Sequence, residues 1–593
     1  MQRTVFSQRY FAIPDFVILL VIATAIYGVV SIAHEWRTEF HPITQIDLSV
    51  RALPYYTMLS AVRGMVAYFI SLGFTLVVGY AAAKSTTAEK IIIPLLDILQ
   101  SIPVLGFLPG LLLGLVALFP RTNIGLELAA VIMIFTGQVW NMTISYYASL
   151  KSVPAEFGEA SRVIGLNWYQ RLVKVELPFS AVNLAWNSLL SMAGGWFFLI
   201  PCEAITLGEN EYRLPGIGAY MDVAIKSGDT RAIVLAVIAM VLLILVMDFV
   251  IWRPILAWVQ RFRLEDVGGG AHVEPLMQVW IRESKILHRM KMIYRELVLK
   301  PRRVRSRLAG EVSVDAIVKI RAPWVYSVAY RIYRFAQLIT RSPRVTRVMQ
   351  MTLGFVVLSL IFFGAYQLFS ILAKIPPATW IVLLRNTAWT FFRVLIALLL
   401  SSLWAVPVGI WIGTSVKRIR VAQPIIQVLA SFPAPMLYPL ALGLFFSLGI
   451  SFDWGSMLLM LLGVQWYVLF NVLAGAMRIP KELNDALLLM EASRWARWKN
   501  LYLPSVFPFL VTGWVTAAGG AWNASVVAEY LPYHGTILKT GGLGSTLSVA
   551  IANENFTLFA ASLFLMVLVV VTLNRLVWAR VYRLANTRFK MDL

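Results

Sequence analysis

The chain has 593 residues, of which 59% are apolar and 14% charged, and its mean hydropathy is +0.74. Soluble domains carry roughly 25% charged residues, so this composition excludes a soluble enzyme, a disordered scaffold and a secreted domain, and points to a polytopic membrane protein. The excess of 52 Lys and Arg over 30 Asp and Glu then belongs to cytoplasmic loops and implies no nucleic-acid partner. The single cysteine, Cys202, permits no intrachain disulfide. The five histidines form no Cys/His cluster, so no metal site is expected.

Apolar runs of about 20 residues mark bilayer spans. In chain order they are 13–33, 55–83, 91–119, 125–149, 179–205 and 230–257, then 350–373, 383–413, 421–449, 455–477, 505–530 and 556–578. Arg3 and Arg9 precede the first run without a small-residue cleavage site, which reads as an uncleaved span. The third and ninth runs carry Pro103, Pro109, Pro433 and Pro439, so bent or broken helices are predicted there.

Twelve spans put the basic stretch 261–347, the Lys417-Arg418-Ile-Arg420 loop and the Arg580, Arg583, Arg588 tail on one side, which is cytoplasmic. Both termini then face the cytoplasm. The stretch 261–348 reads as a charged linker between two halves, 1–260 and 349–593. It opens on a flexible Gly268-Gly269-Gly270 joint, and 275–299 and 324–338 read as basic surface helices.

The halves are copies. A shift of 330 superposes Thr57 on Thr387, Arg63 on Arg393, Gly79 on Gly409, Pro94 on Pro424, Pro103 on Pro433 and Pro109 on Pro439. Further on the shift is 326, and it superposes Trp140 on Trp466, Glu159 on Asp485, Trp196 on Trp522, Glu203 on Glu529 and Gly216-Ile-Gly218 on Gly542-Leu-Gly544. This is a tandem duplication of a six-span unit in parallel orientation, which implies a pseudo-two-fold axis along the membrane normal and a pathway between the halves. The fold class is therefore all-α and polytopic, with about twelve membrane helices in two six-helix repeats.

A long loop joins the fourth and fifth spans of each half, at 154–178 and 480–504. The first reads Glu159-Ala160-Ser161, then Gly165, then Leu177-Pro178; the second reads Asp485-Ala486-Leu487, then Glu491, then Leu503-Pro504. This resembles the EAA loop of ABC importer permeases. Trp522, Ala528-Glu529 and Gly542-Leu543-Gly544, matched in the first half by Trp196, Cys202-Glu203 and Gly216-Ile217-Gly218, resemble the nitrate/taurine class of those permeases.

The resemblance implies a type I importer fold in a bacterial inner membrane. Each loop would form a short helix that docks one of two copies of an ATPase subunit, with an acid near its start to suit the helix dipole and Pro178 and Pro504 in the first turn of the next helix. With Glu491 in place of the glycine, the second loop is expected to turn differently. A periplasmic or lipid-anchored binding protein would deliver a small anion such as nitrate, bicarbonate or a sulfonate.

The chain itself holds no phosphate loop. Gly79-Tyr-Ala-Ala-Ala-Lys84-Ser85 lacks the glycine before the lysine, so ATP and Mg are assigned to the partner ATPase and no catalytic residue or cofactor to this chain. Arg63 and Arg393, charges inside spans, are candidate pathway residues, as are Trp196, Trp522 and Asn523. Glu203 and Glu529 are candidates too, and are also the natural ion-pair partners of the arginines. Gln138, Asn141 and Gln465 read as polar contacts between helices. The rival reading is a secondary transporter of the major-facilitator type, which shares twelve spans and duplicated halves but lacks the long fourth-to-fifth loop.

Overall fold

The computed structural model describes residues 13–101, 103–207, 210–262, 343–533 and 535–588. The linker, with its glycine joint and two amphipathic segments, lies almost wholly outside the described residues. Of the described residues, those from 23 to 262 and from 376 to 588 belong to one compact unit that holds the cores of both repeats; 13–22 and 343–375 belong to another.

The first repeat opens with α1 (Ile13–Glu35). Helix α2 (Leu53–Phe74) runs through a π turn into α3 (Tyr80–Lys84), followed by α4 (Thr86–Ser101), α5 (Val104–Leu118) and α6 (Ile124–Lys151). The long loop supplies α7 (Ala155–Val163) and α8 (Trp168–Arg171), and a π turn at Leu172–Glu176 leads into α9 (Leu177–Phe197) and α10 (Leu199–Glu203). A hairpin, β1 (Ala204–Leu207) and β2 (Asn210–Arg213), precedes α11 (Ile217–Ser227), α12 (Thr230–Met247), a π turn at Asp248–Trp252 and α13 (Arg253–Val259).

The second repeat follows the same order. It comprises α14 (Pro343–Leu372), α15 (Pro377–Gly413), α16 (Val416–Ser431), α17 (Ala434–Ser447) and α18 (Phe452–Ala476). Its long loop holds α19 (Lys481–Leu489), α20 (Arg494–Arg497) and a π turn at Trp498–Tyr502, before α21 (Leu503–Ala528). Strands β3 (Tyr530–Tyr533) and β4 (Thr536–Lys539), α22 (Leu543–Ala552), α23 (Phe556–Leu573), a π turn at Asn574–Trp578 and α24 (Ala579–Arg588) complete it. From the long loop onward most boundaries of the two copies, π turns included, differ by the shift of 326 read from the sequence.

Among the described residues, eight helical segments are long and apolar enough to cross a bilayer, or nine if the bent pair α16–α17 counts as one span. Helices α4–α5, α9 and α14 stand at the other expected positions. The predicted breaks are present. Helix α16 meets α17 at 89°, where Phe432 is extended (ψ 131°) ahead of Pro433, the conformation that a following proline ring enforces. In the first copy α4 stops at Ser101 and α5 restarts at Val104, after Pro103. The cores match too: α2 packs on α6 and α6 on α9, as α15 packs on α18 and α18 on α21.

Two expectations need correction. The fifth and eleventh spans were expected to run as helix to 205 and 530. Helix α9 instead ends at Phe197, with only the short α10 beyond it, and α21 ends at Ala528. The chain then pairs as antiparallel hairpins, Ala204 opposite Arg213 and Tyr530 opposite Lys539. The stretches between the expected spans, 206–229 and 531–555, also hold α11 and α22.

The second correction concerns glycine. Gly165 (φ 74°) and Gly228 (φ 69°) end α7 and α11 in the left-handed conformation, and Glu491 (φ 51°) and Glu554 (φ 53°) do the same at the matching places of the second copy. The second loop therefore turns like the first. A side chain there costs about 1 kcal/mol or more, so Glu491→Gly is expected to stabilise the chain by about 1 kcal/mol and Gly165→Glu to destabilise it by a similar amount. Thermal unfolding of the purified chain in detergent reads both; equal melting temperatures would show that the turn is relaxed around glutamate.

Candidate functional site

Each long loop is a helix, a left-handed turn and a second short helix. Pro154 and Pro480 lead into α7 and α19, where a residue without an N–H loses nothing. At the far end Leu166 N donates to Ser161 O (2.9 Å) and Gly165 N to Arg162 O (3.0 Å). In the second loop Ala492 N donates to Leu487 O and Glu491 N to Leu488 O, both at 3.0 Å. This pair of bonds satisfies the last carbonyls of a helix around a left-handed residue. Asn167 then caps α8 in a capping box with Gln170, and Ser493 caps α20.

Glu159 and Ala160 are exposed on α7, as Asp485 and Ala486 are on α19. The acids lie mid-helix, so the expected role at the helix start falls instead to Glu156 and Glu482, in the first turns. Leu177-Pro178 and Leu503-Pro504 open α9 and α21 directly after the π turns, which accommodate the backbone donor each proline lacks. The tips are apolar and bare: Val163 is 89% exposed and Leu489 86%, with Ile164 and Met490 beside them. Exposed apolar residues grouped on a turn are of the kind that a protein or membrane contact covers.

The other candidates gather around the hairpin of each repeat. Arg63, on α2, has no exposed surface. Its Nε and Nη2 donate to the two oxygens of Glu127, each at 2.7 Å, and its Nη1 donates to Glu203 Oε1. Ser60 Oγ donates to the same glutamate oxygen (2.6 Å), and Gly218 N, in the first turn of α11, donates to the other (2.7 Å). A carboxylate at a helix N-terminus is favoured by the backbone N–H groups that face it. A Cβ on Gly216 would collide with this carboxylate, and one on Gly218 would collide first with the Leu199 carbonyl, so the first glycine of the Gly-x-Gly motif leaves room for the glutamate and the second for the preceding helix.

The second copy repeats the arrangement with fewer charges. Arg393 Nη1 donates to Glu529 Oε1 (3.0 Å) and to Gly541 O (2.7 Å), and Nη2 donates to Thr540 Oγ1 (2.7 Å). Thr390 Oγ1 and Ser545 N complete the glutamate's shell, and Gly542 leaves room for the carboxylate. Asp453 occupies the place of Glu127, but its side chain is 71% exposed and 3.7 Å from Arg393. Both arginines are thus enclosed within their own repeat, a position that leaves no free face for a gap between the repeats.

Trp196 and Trp522 are buried as well. A Cβ on Gly64 would lie 2.7 Å from Trp196 Cη2, so this glycine admits the indole against α2. Asn523 does reach across: its Oδ1 accepts from Val104 N (2.9 Å), the first amide of α5 after the break. A second bond joins the repeats where Gln427 Nε2 donates to Asp248 Oδ1 (2.9 Å), while Arg253 Nε holds Oδ2 (2.6 Å). Of the helix contacts expected, Gln138 meets Ser71 and Met192, whereas Asn141 is exposed. The sequence reading missed Glu127, Ser60 and Asp248; an acid inside an apolar run was the available signal for Glu127 and Asp248.

Comparison with known proteins agrees with this architecture. The chain is 28% identical over 152 residues to the nitrate import permease protein NrtB of Leptolyngbya laminosa, covering 26% of this chain and 50% of the relative. It is 24% identical over 248 residues to the bicarbonate transport system permease protein CmpB of Synechococcus elongatus, covering 41% and 83%. It is 28% identical over 160 residues to the taurine transport system permease protein TauC of Escherichia coli, covering 27% and 54%. The matched segment spans about half the length of the nitrate and taurine relatives. The model of one family matches twice, at residues 75–252 and 405–590, once in each repeat and over more than half of the chain. The chain belongs to the family of binding-protein-dependent transport system inner membrane components.

Proposed function

We propose that this chain is the membrane permease of an ATP-driven importer, with both halves of the permease on one polypeptide. The observation that carries the reading is the doubled long loop, with the same helix, the same left-handed turn and a bare apolar tip in each copy. Each tip docks one ATPase subunit on the cytoplasmic side, so one chain takes two. ATP and Mg bind those subunits, and this chain catalyses no bond change. Docking of rigid helices continuous with α9 and α21 lets closure of the ATPases reach the seam between the repeats. The family match supports this over a major-facilitator carrier.

A periplasmic or lipid-anchored binding protein delivers the solute at the face opposite the loops, in a bacterial inner membrane with both termini cytoplasmic. The relatives' names, which cover nitrate, bicarbonate and taurine import, support a small anion as cargo. Residues 1–260 and 349–593 act as the two permease halves, joined by the linker 261–348.

The burial of Arg63, Arg393, Glu203 and Glu529 supports a role in holding each repeat together, and Asn523, which bridges the repeats, is the pathway candidate. Reversing charge with Glu159→Lys or Asp485→Lys is expected to release the ATPase or to lower transport at least tenfold; nitrate uptake by the reconstituted complex, with retention of the ATPase on purification, measures it. Full uptake by the double reversal would refute docking through these loops. Arg63→Gln leaves two buried glutamates without their cation and is expected to destabilise the chain by about 3–5 kcal/mol, more than Arg393→Gln, with partial recovery on adding Glu127→Gln. Folded yield and melting temperature in detergent read the order; equal losses at the two sites would contradict it.

A further inference from the structure

Where the long loop meets α9 and α21, the two repeats differ in a cluster of charges. In the first repeat Lys84, the last residue of α3, donates from Nζ to Glu176 Oε1 (2.6 Å), and Arg171 Nε donates to the same oxygen (2.8 Å). The Glu176 side chain is 3% exposed against 30% for Lys84, and its other oxygen is buried without a hydrogen-bond partner. Glu176 ends the π turn that joins the loop to α9. One carboxylate oxygen therefore ties the cytoplasmic loop, through Arg171, to the end of the α2–α3 span, through Lys84.

The second repeat keeps one of the three residues. Thr414 stands for Lys84, Tyr502 for Glu176 and Arg497 for Arg171. Arg497 retains a buried Nε with no hydrogen-bond partner, the orphan left where the acid is absent. Tyr502 donates instead to Asn484 Oδ1 (2.6 Å), on α19 within the same loop. Among the described residues, the bond at this place in the second loop closes within the loop, whereas in the first it reaches a membrane helix outside it.

We infer that Glu176 is a positioning residue that fastens the first cytoplasmic loop to the α2–α3 span, so that the two loops pass movement to the membrane by unequal routes. The inference rests on the proposal that the loops receive the ATPases. In the first repeat a push on α7 and α8 reaches two spans, α9 through the chain and α2–α3 through the ionic link. In the second it reaches α21 through the chain. The cations are partly exposed, so the link weakens as salt rises.

The test uses the full chain assembled with its ATPases in liposomes, carrying spin labels at Asn210→Cys and Thr536→Cys on the two hairpins in a Cys202→Ala background. ATP is expected to change the distance between the labels. In Glu176→Gln and Lys84→Thr the ATP-driven change is expected to fall by more than half while ATP hydrolysis and ATPase retention stay within twofold; Lys84→Arg should restore it. Lys84→Thr installs the residue found at the matching place of the second repeat, so it keeps the test open if Glu176→Gln folds poorly. High salt should depress the change in the unmodified complex more than in Lys84→Thr. A full distance change in both assembled variants overturns the link. Loss of ATPase from Lys84→Thr assigns the cluster to docking and likewise overturns it, whereas the absence of any ATP-driven change in the unmodified complex overturns the importer reading and the link together.

Discussion

Each repeat is organised around one buried guanidinium, paired with two carboxylates in the first repeat and with one buried carboxylate in the second. Removing such ions from water costs several kcal/mol apiece, and the cost is offset only when the donors and lone pairs find partners. Arg63 and Glu203 meet this demand by drawing α2, α6, α10 and the start of α11 to one point. Arg393 and Glu529 do so with α15, the end of α21 and the start of α22. The hairpin that separates glutamate from glycine pair in each copy has its two ends fixed by this requirement; in the first copy Glu203 and Gly218 bond directly across it.

The same demand explains sequence features that otherwise look like a signature without a cause. Glutamate, a hairpin and Gly-x-Gly recur because the carboxylate occupies the space beside the first glycine and takes a free amide of the following helix, while the second glycine lets that helix approach the preceding backbone. Trp196 sits with Gly64 beneath it for a similar reason of volume. These are residues of construction, and the contacts proposed with other molecules lie elsewhere, on α7, α19 and the seam between the repeats.

Much of this was legible in the sequence. The duplication followed from paired prolines, arginines and Leu-Pro steps, the breaks at Pro103 and Pro433 from proline sterics, and the ion pairs from charges that apolar spans cannot leave unpaired. The hairpins were not legible, because Ala204–Leu207 and Tyr530–Tyr533 continue an apolar run and four residues are too few for a strand period to show. The turn at Glu491 was hidden because a glycine in one copy suggests that its absence changes the backbone; the surrounding helix ends impose the conformation instead. The Glu176 cluster was invisible because Lys84 lies 92 residues away and its role depends on α3 and the π turn coming together.

Joining the repeats in one polypeptide frees their seam from repetition. In an assembly of two identical chains every group at the seam appears twice. Here Asn523 caps the break before α5, while Phe197, its counterpart under the shift of 326, lies with Ala434 around Gly463. At matching places of the two repeats the seam is therefore built from unlike groups, a bonded amide at one and a phenyl ring at the other.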